Sequence, residues 1–231
     1  MTTTRVWLFD LDNTLHDAGT YVFGELSRSM REYMQRELQV DEAQANALRR
    51  QYWQRYGATL LGLVRHHGVK AAHFLHDTHR LPGLEARLDG HRHDFAALKA
   101  LPGRKLILTN APRAYALRVL RALRIEHLFD AVLSIEDMQM FGVLRPKPDA
   151  RMLRRLVARL RVPASRCVLV EDTLVHQRSA RRVGMCTVWM QRYARRGGHG
   201  DMKLARWSMR PAYVDQVLRG LRPLRRQPPR G

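Results

Sequence analysis

Arg5-Val6-Trp7-Leu8-Phe9-Asp10-Leu11-Asp12-Asn13-Thr14-Leu15 is a short apolar run that stops at two carboxylates. A run of this length bounded by turn-forming residues reads as a buried strand, Arg5 to Phe9, with the chain turning at Asp10 to Thr14. Two carboxylates two residues apart at such a turn form a charged concavity that needs a cation. With Glu171-Asp172 as a further acidic pair, magnesium is the natural occupant, because it takes one or two carboxylates together with water and substrate phosphate.

Outward from this strand the pattern changes twice. Tyr21 to Leu38 and Glu42 to His67 carry apolar residues at helical spacing, and Lys70 to Arg80 follows as a weaker third helix. Gly57 and Gly62 interrupt the second of these patterns. From about Phe95 helices and strands alternate. The strands are Lys105 to Leu108, Ala131 to Ser134, Cys167 to Val170 and Thr187 to Met190; the helices are Pro112 to Leu123, Pro148 to Leu160 and Val175 to Val183. Apolar strands separated by amphipathic helices predict a doubly wound α/β fold with a parallel sheet, whose ligands bind at the carboxyl ends of the strands. The expected organisation is a core of residues 1–16 and 92–190, a helical insert of 17–91, and a basic segment of 191–231 partly packed on the core. Ala212 to Leu221 is the one candidate helix of that last segment, and Pro223, Pro228 and Pro229 make its end a poor candidate for order.

Each polar cluster follows a strand. A carboxylate such as Asp10 can attack phosphorus to give an aspartyl-phosphate, and a neighbouring carboxyl, Asp12, can protonate the leaving oxygen and later activate water. Thr109-Asn110 offers a hydroxyl and backbone amides at a helix start, which suits a phosphoryl oxygen. Lys147 stands between Pro146 and Pro148, so its backbone is restrained.

Taken in order, Asp10-Leu11-Asp12-Asn13-Thr14-Leu15, Thr109-Asn110, Lys147 and Glu171-Asp172-Thr173 closely resemble the four motifs of the haloacid dehalogenase (HAD) phosphatases, over about residues 5 to 190. The resemblance implies a Rossmann-like core with the first strand central and a helical cap inserted after it. It implies Asp10 as nucleophile and magnesium ligand, and Asp12 as general acid/base that binds the metal through its carbonyl. Thr109, Asn110 and Lys147 would hold phosphate, Asp172 would complete the metal site, and Glu171 would support it. An acid at the place of Asp12 is what phosphatases and phosphomutases of the superfamily have and dehalogenases lack. His176 stands where the last motif usually carries Asn or Asp. Residues 55–67 resemble the cap of the pyrimidine 5′-nucleotidase branch; Tyr52, Trp53 and Tyr56 could stack on a base, and Arg65, His66 or His67 could bind a ribose or base edge. The implied substrate is a small phosphate ester, a pyrimidine nucleoside 5′-monophosphate first and a sugar phosphate as the alternative.

The formal net charge is +20, with 11 Lys/Arg against 2 acids in residues 191–231 and 30 against 19 in the rest. The excess reads as spread over the body with a denser tail, favouring anionic substrates and nonspecific contact with nucleic acid. A basic nucleic-acid-associated protein is the rival reading from another class. Cys167 and Cys186, the two cysteines, lie in apolar runs and read as buried free thiols. No apolar stretch is long enough for a membrane span and no signal-peptide core can be drawn, so the cytoplasm is the expected location.

Overall fold

A computed structural model of the chain describes residues 5–193, 209–225 and 229. They fall into two compact units, Met1–Thr20 with Arg87–Gly231, and Tyr21–Ala86. Asp17 and residues 87–91 go with the first unit, where the Asp17 N–H donates to the Asp89 carbonyl at 3.0 Å and His16 bridges to Gly90.

The first unit opens with β1 (Val6–Phe9). The second unit then supplies α1 (Val22–Leu38), α2 (Glu42–Tyr56), α3 (Thr59–His67) and α4 (Ala71–Thr78). The first unit resumes with α5 (Arg92–Lys99), β2 (Arg104–Leu108), α6 (Arg113–Ala122) and β3 (Ala131–Leu133). A hairpin of β4 (Gln139–Met140) and β5 (Val143–Leu144) precedes α7 (Ala150–Leu160), β6 (Cys167–Glu171), α8 (Leu174–Val183), β7 (Cys186–Met190) and β8 (Gln216–Leu218). Six strands form one sheet in the order β3-β2-β1-β6-β7-β8, and every pairing in it is parallel. This is the doubly wound, Rossmann-like α/β fold with a helical insert after the first strand. Strands β1, β6 and β7 are buried at every position, as a parallel sheet covered on both faces requires. On one face Met152, Leu153, Leu156 and Leu160 of α7 pack with Ala180 of α8 onto Val6, Leu8, Leu106 and Leu169. In register, Phe9 stands beside Ile107 and Val170. The residues just past these, Asp10, Thr109 and Glu171, are thereby gathered at one edge of the sheet.

The last segment departs from expectation. Ala212 to Leu221 does not form a helix; Gln216–Leu218 is β8, paired with Val188 to Met190 of β7. The β7 edge would otherwise leave a row of backbone groups unpaired, and Asp215 anchors the new strand by accepting from the Thr187 N–H at 2.9 Å. Pro223 lies in a short 3-10 turn ending in Arg225, while Pro228 lies outside the described residues.

In the second unit, the expected helix Glu42 to His67 is two helices. Gly57, at φ 78°, caps α2 in the left-handed region, and α3 starts two residues later. Gly62 is needed for packing, since a Cβ there would lie 2.1 Å from the Tyr52 ring. Among the described residues no helix is long and apolar enough to cross a membrane.

Candidate active site

Lys147 is the centre of the cluster at the sheet edge. Its side chain is 1% exposed, and Nζ donates to Asp10 Oδ1 and to Glu171 Oε2, each at 2.7 Å. Burial alone would lower its pKa, but the two carboxylates outweigh burial and hold the ammonium above its ordinary value. The loop that carries it is fixed by Asn110, whose side-chain amide donates to the Lys147 carbonyl and accepts from the Lys147 N–H, both at 2.9 Å. The Asn110 amide thus acts on the lysine loop. Thr109 is buried with Oγ1 accepting from the Ala111 N–H at 3.0 Å, which shapes the turn after β2.

Glu171 opposes burial with Lys147 and His176 beside it and stays well below the usual carboxylate range. His176 Nδ1 is 3.1 Å from Glu171 Oε2, close enough for charge attraction although the pair lacks hydrogen-bond geometry. Gln177, four residues short of Arg181 on α8, ties the ends of β6 and β7 together by donating to the Glu171 carbonyl at 2.9 Å and the Val188 carbonyl at 2.6 Å. Asp10 is pushed up to about 7, first by burial and then by the Glu171 charge, against the pull of Lys147. Asp172 is raised well above its ordinary value by desolvation and by Glu171 and Asp10. Ligand oxygens of Asp10, Glu171 and Asp172 lie within 4.8 Å of one another. Three carboxylates with one ammonium are short of positive charge, and an all-oxygen set of this kind fits a hard divalent cation such as magnesium.

Asp12 is held differently. The Tyr115 hydroxyl donates to its Oδ1 at 2.5 Å, and His16 Nε2 approaches the same oxygen at 2.9 Å. Burial and the Asp12 charge push the Tyr115 phenol well above its ordinary pKa, so it remains a donor. His16 is 0% exposed and its Nδ1 has no hydrogen-bond partner among the described residues, so Nε2, facing Asp12, is the ring nitrogen that is engaged. Asn13, at φ 57°, closes the turn by accepting from the N–H groups of Ala18 and Gly19. Neither Tyr115 nor His16 was marked by the motif reading. The four-residue spacing of Asp12 and His16 was a usable signal; Tyr115, 103 residues from Asp12, had none beyond its place in the first turn of α6.

Of the residues expected to read a base, Tyr52 is buried, with its ring against Gly62 and its hydroxyl 2.7 Å from His67 Nε2. It packs α2 on α3 and has no free ring face for stacking. Trp53 is 65% exposed, and Tyr56 meets His66 at 2.6 Å with the Arg65 guanidinium 5.9 Å from its ring centre.

A family model described as haloacid dehalogenase-like hydrolase matches residues 4–184. Among solved structures, the chain is similar to CbbY from Rhodobacter sphaeroides in complex with phosphate, at 19% identity and TM-score 0.63 over 96% of both chains. It is similar to a HAD phosphatase from Thermococcus onnurineus, at 20% and 0.61 over 96% of both chains. L-2-haloacid dehalogenase from Xanthobacter autotrophicus matches at 16% and 0.56, over 97% of this chain and 98% of that one. At these identities the likeness establishes the shared fold, and phosphatases and dehalogenases both have it.

Proposed function

The chain belongs to the haloacid dehalogenase-like hydrolase family, and from that premise we propose that it is a magnesium-dependent phosphomonoester hydrolase working through an aspartyl-phosphate on Asp10. The observation that carries this reading is the Asp12 carboxyl, placed two residues beyond Asp10 with Tyr115 and His16 both on Oδ1. A dehalogenase has no leaving oxygen to protonate; a phosphatase does, and this arrangement leaves Oδ2 of Asp12 to exchange that proton.

In the first step a carboxylate oxygen of Asp10 forms a bond to phosphorus, the bond from phosphorus to the leaving oxygen breaks, and Asp12 gives that oxygen its proton. In the second step Asp12 takes a proton from water, water oxygen bonds to phosphorus, and Asp10 is released as carboxylate with inorganic phosphate. Lys147, with Asn110 holding its backbone, offsets the charge of Asp10 and of the incoming phosphate, and the Thr109 turn shapes the phosphate cradle. Asp10, Asp172 and the Asp12 carbonyl would hold magnesium, with Glu171 and His176 behind them. Bound magnesium would neutralise phosphate oxygens and make phosphorus more open to attack.

The substrate we assign first is a pyrimidine nucleoside 5′-monophosphate, supported by the likeness of residues 55–67 to that branch and by the exposed Trp53 with the Tyr56–Arg65 pair. A small sugar phosphate is the second reading, favoured by the commitment of Tyr52 to helix packing, which removes one of the three expected stacking rings. A turnover screen with magnesium over UMP, CMP, AMP, GMP and sugar phosphates separates the two. Asp10→Asn should abolish phosphate release from every ester. Asp12→Asn should retain phosphoenzyme formation from aryl phosphates, whose leaving groups need little protonation; a variant equally dead on aryl and alkyl esters sinks the acid role of Asp12.

A further inference from the structure

Residues 150–190, which include α7 and α8, are strongly basic, as is the segment 191–231. Residues 1–149 carry 21 Lys/Arg against 17 acids, while residues 150–190 carry nine arginines against two acids, Glu171 and Asp172, both spent in the catalytic cluster. The fold explains where the arginines go. On α7 the buried positions are Met152, Leu153, Leu156 and Leu160, which turns Arg151, Arg154, Arg155 and Arg159 outward. On α8, Gln177, Ser179 and Ala180 face in, and Arg178, Arg181 and Arg182 face out. The two helices pack on each other, and Arg151 of α7 lines one groove with Arg178 and Arg182 of α8.

Elsewhere some exposed arginines meet carboxylates, as in Arg28–Glu25, Arg36–Asp77, Arg113–Asp137 and Arg121–Glu126, while Arg50, Arg55, Arg65 and Arg104 are exposed outside any ion pair among the described residues. On the α7–α8 face Arg181 meets Asp215, and Arg151 reaches Asp149 at 3.4 Å. Among the described residues no carboxylate lies within ion-pair reach of Arg154, Arg159, Arg178 or Arg182.

Between the helices runs an open groove of about 400 Å³, lined by Arg151, Arg178, Arg182, Val175 and Ser179. Its one acid, Asp149, is occupied by Arg145 at 3.0 Å and by the Arg151 N–H at 2.8 Å. Arg178 lies over the Tyr213 ring, 5.0 Å from its centre, which fixes its guanidinium plane. Val175 is 52% exposed beside it. Guanidinium groups with unfilled donors suit phosphate oxygens, and a planar cation with an adjacent apolar side chain suits the face of an unstacked base.

We propose that the α7–α8 groove binds the phosphodiester backbone of single-stranded nucleic acid, independently of catalysis. The test uses the full chain and a fluorescein-labelled dT20, with anisotropy read at several salt concentrations between 50 and 300 mM. Replacing Arg151, Arg178 and Arg182 together by Gln should flatten the slope of log K against log salt by about 2, at about 0.7 per phosphate contact. That slope change corresponds to weakening of about a hundredfold at 0.1 M salt. Arg28, Arg36 and Arg121 replaced together by Gln is the charge-matched control and should weaken binding less than about threefold, because those arginines lie outside the groove. Thermal unfolding and phosphate-ester turnover of the groove variant should match the unsubstituted chain. Equal weakening in both triple variants, or an unchanged slope in the groove variant, overturns the proposal and assigns binding to diffuse charge or to residues 191–231. No binding of dT20 at 50 mM salt overturns it, as does tighter binding of a duplex or of polyglutamate of equal charge.

Discussion

Replacing Lys147 by Met is the most direct test of how the catalytic cluster is held together. Methionine keeps the length and most of the volume of the side chain but removes the ammonium that donates at 2.7 Å to both Asp10 Oδ1 and Glu171 Oε2. Both carboxylates are buried and already repel one another, as the upward displacement of Asp10 by Glu171 shows. Removing one partner of a buried ion pair costs about 3–5 kcal/mol, because the remaining charge has lost its solvent and its counter-charge. That is a large share of the roughly 5–15 kcal/mol by which domains are stable. Urea unfolding at pH 7.5 with chelator present should therefore show a loss of about 3–5 kcal/mol, by the same estimate. Adding Glu171→Gln to Lys147→Met removes the stranded charge and should restore at least half of the loss, although the double variant stays inactive. A loss under about 1 kcal/mol, the level of a solvent-screened surface pair, would refute the argument, and so would a double variant whose losses simply add.

Asp10 is raised from 3.8 to about 7 in the folded chain, so its contribution to stability is full below pH 3.8 and is lost as the pH rises through about 7. A cation that binds the ionised site opposes this loss; the rise in Tm on adding magnesium to the chelated protein should be larger at pH 8 than at pH 5.5, and equal shifts would contradict metal binding at Asp10. Tyr115→Phe removes a donor to a charged carboxyl, worth about 1.5–3 kcal/mol. It should lower kcat on alkyl phosphates about ten- to a hundredfold with a much smaller loss on p-nitrophenyl phosphate, and equal losses would give Tyr115 a purely structural role. Gly62→Ala drives a Cβ to 2.1 Å from the Tyr52 ring and should cost about 1–3 kcal/mol in thermal unfolding as overpacking; an unchanged Tm means that the α2–α3 contact is loose.

Sequence reading reached the sheet because strands buried on both faces have to be apolar throughout, and β1, β6 and β7 are. It reached Asp10, Thr109 and Glu171 for a related reason, since they stand at the ends of such runs, whereas Lys147 follows the β4–β5 hairpin outside the sheet. It failed where the outcome depended on contacts between distant residues. Gly57 and Gly62 were visible as breaks, but only the Tyr52 ring lying over Gly62 shows that one is a helix end and the other a packing site. Ala212 to Leu221 looked helical by itself and became β8 because the β7 edge needed a partner. The basic groove was blurred by counting along the chain, because α7 and α8 line it together only when they pack.

The two carboxylates that opened the sequence reading are the same residue type, two positions apart, and their surroundings divide the work between them. Asp12 meets a phenol and an imidazole, which orient one oxygen and leave the other to carry a proton. Asp10 meets an ammonium, but burial and Glu171 outweigh it and leave the carboxyl pushed up to about 7. A nucleophile half protonated near neutrality attacks slowly, so the cluster is incomplete without further positive charge. Asp172, raised by the same crowding, marks where that charge is missing. In the proposed mechanism the cation that neutralises phosphate would also free the attacking oxygen of Asp10.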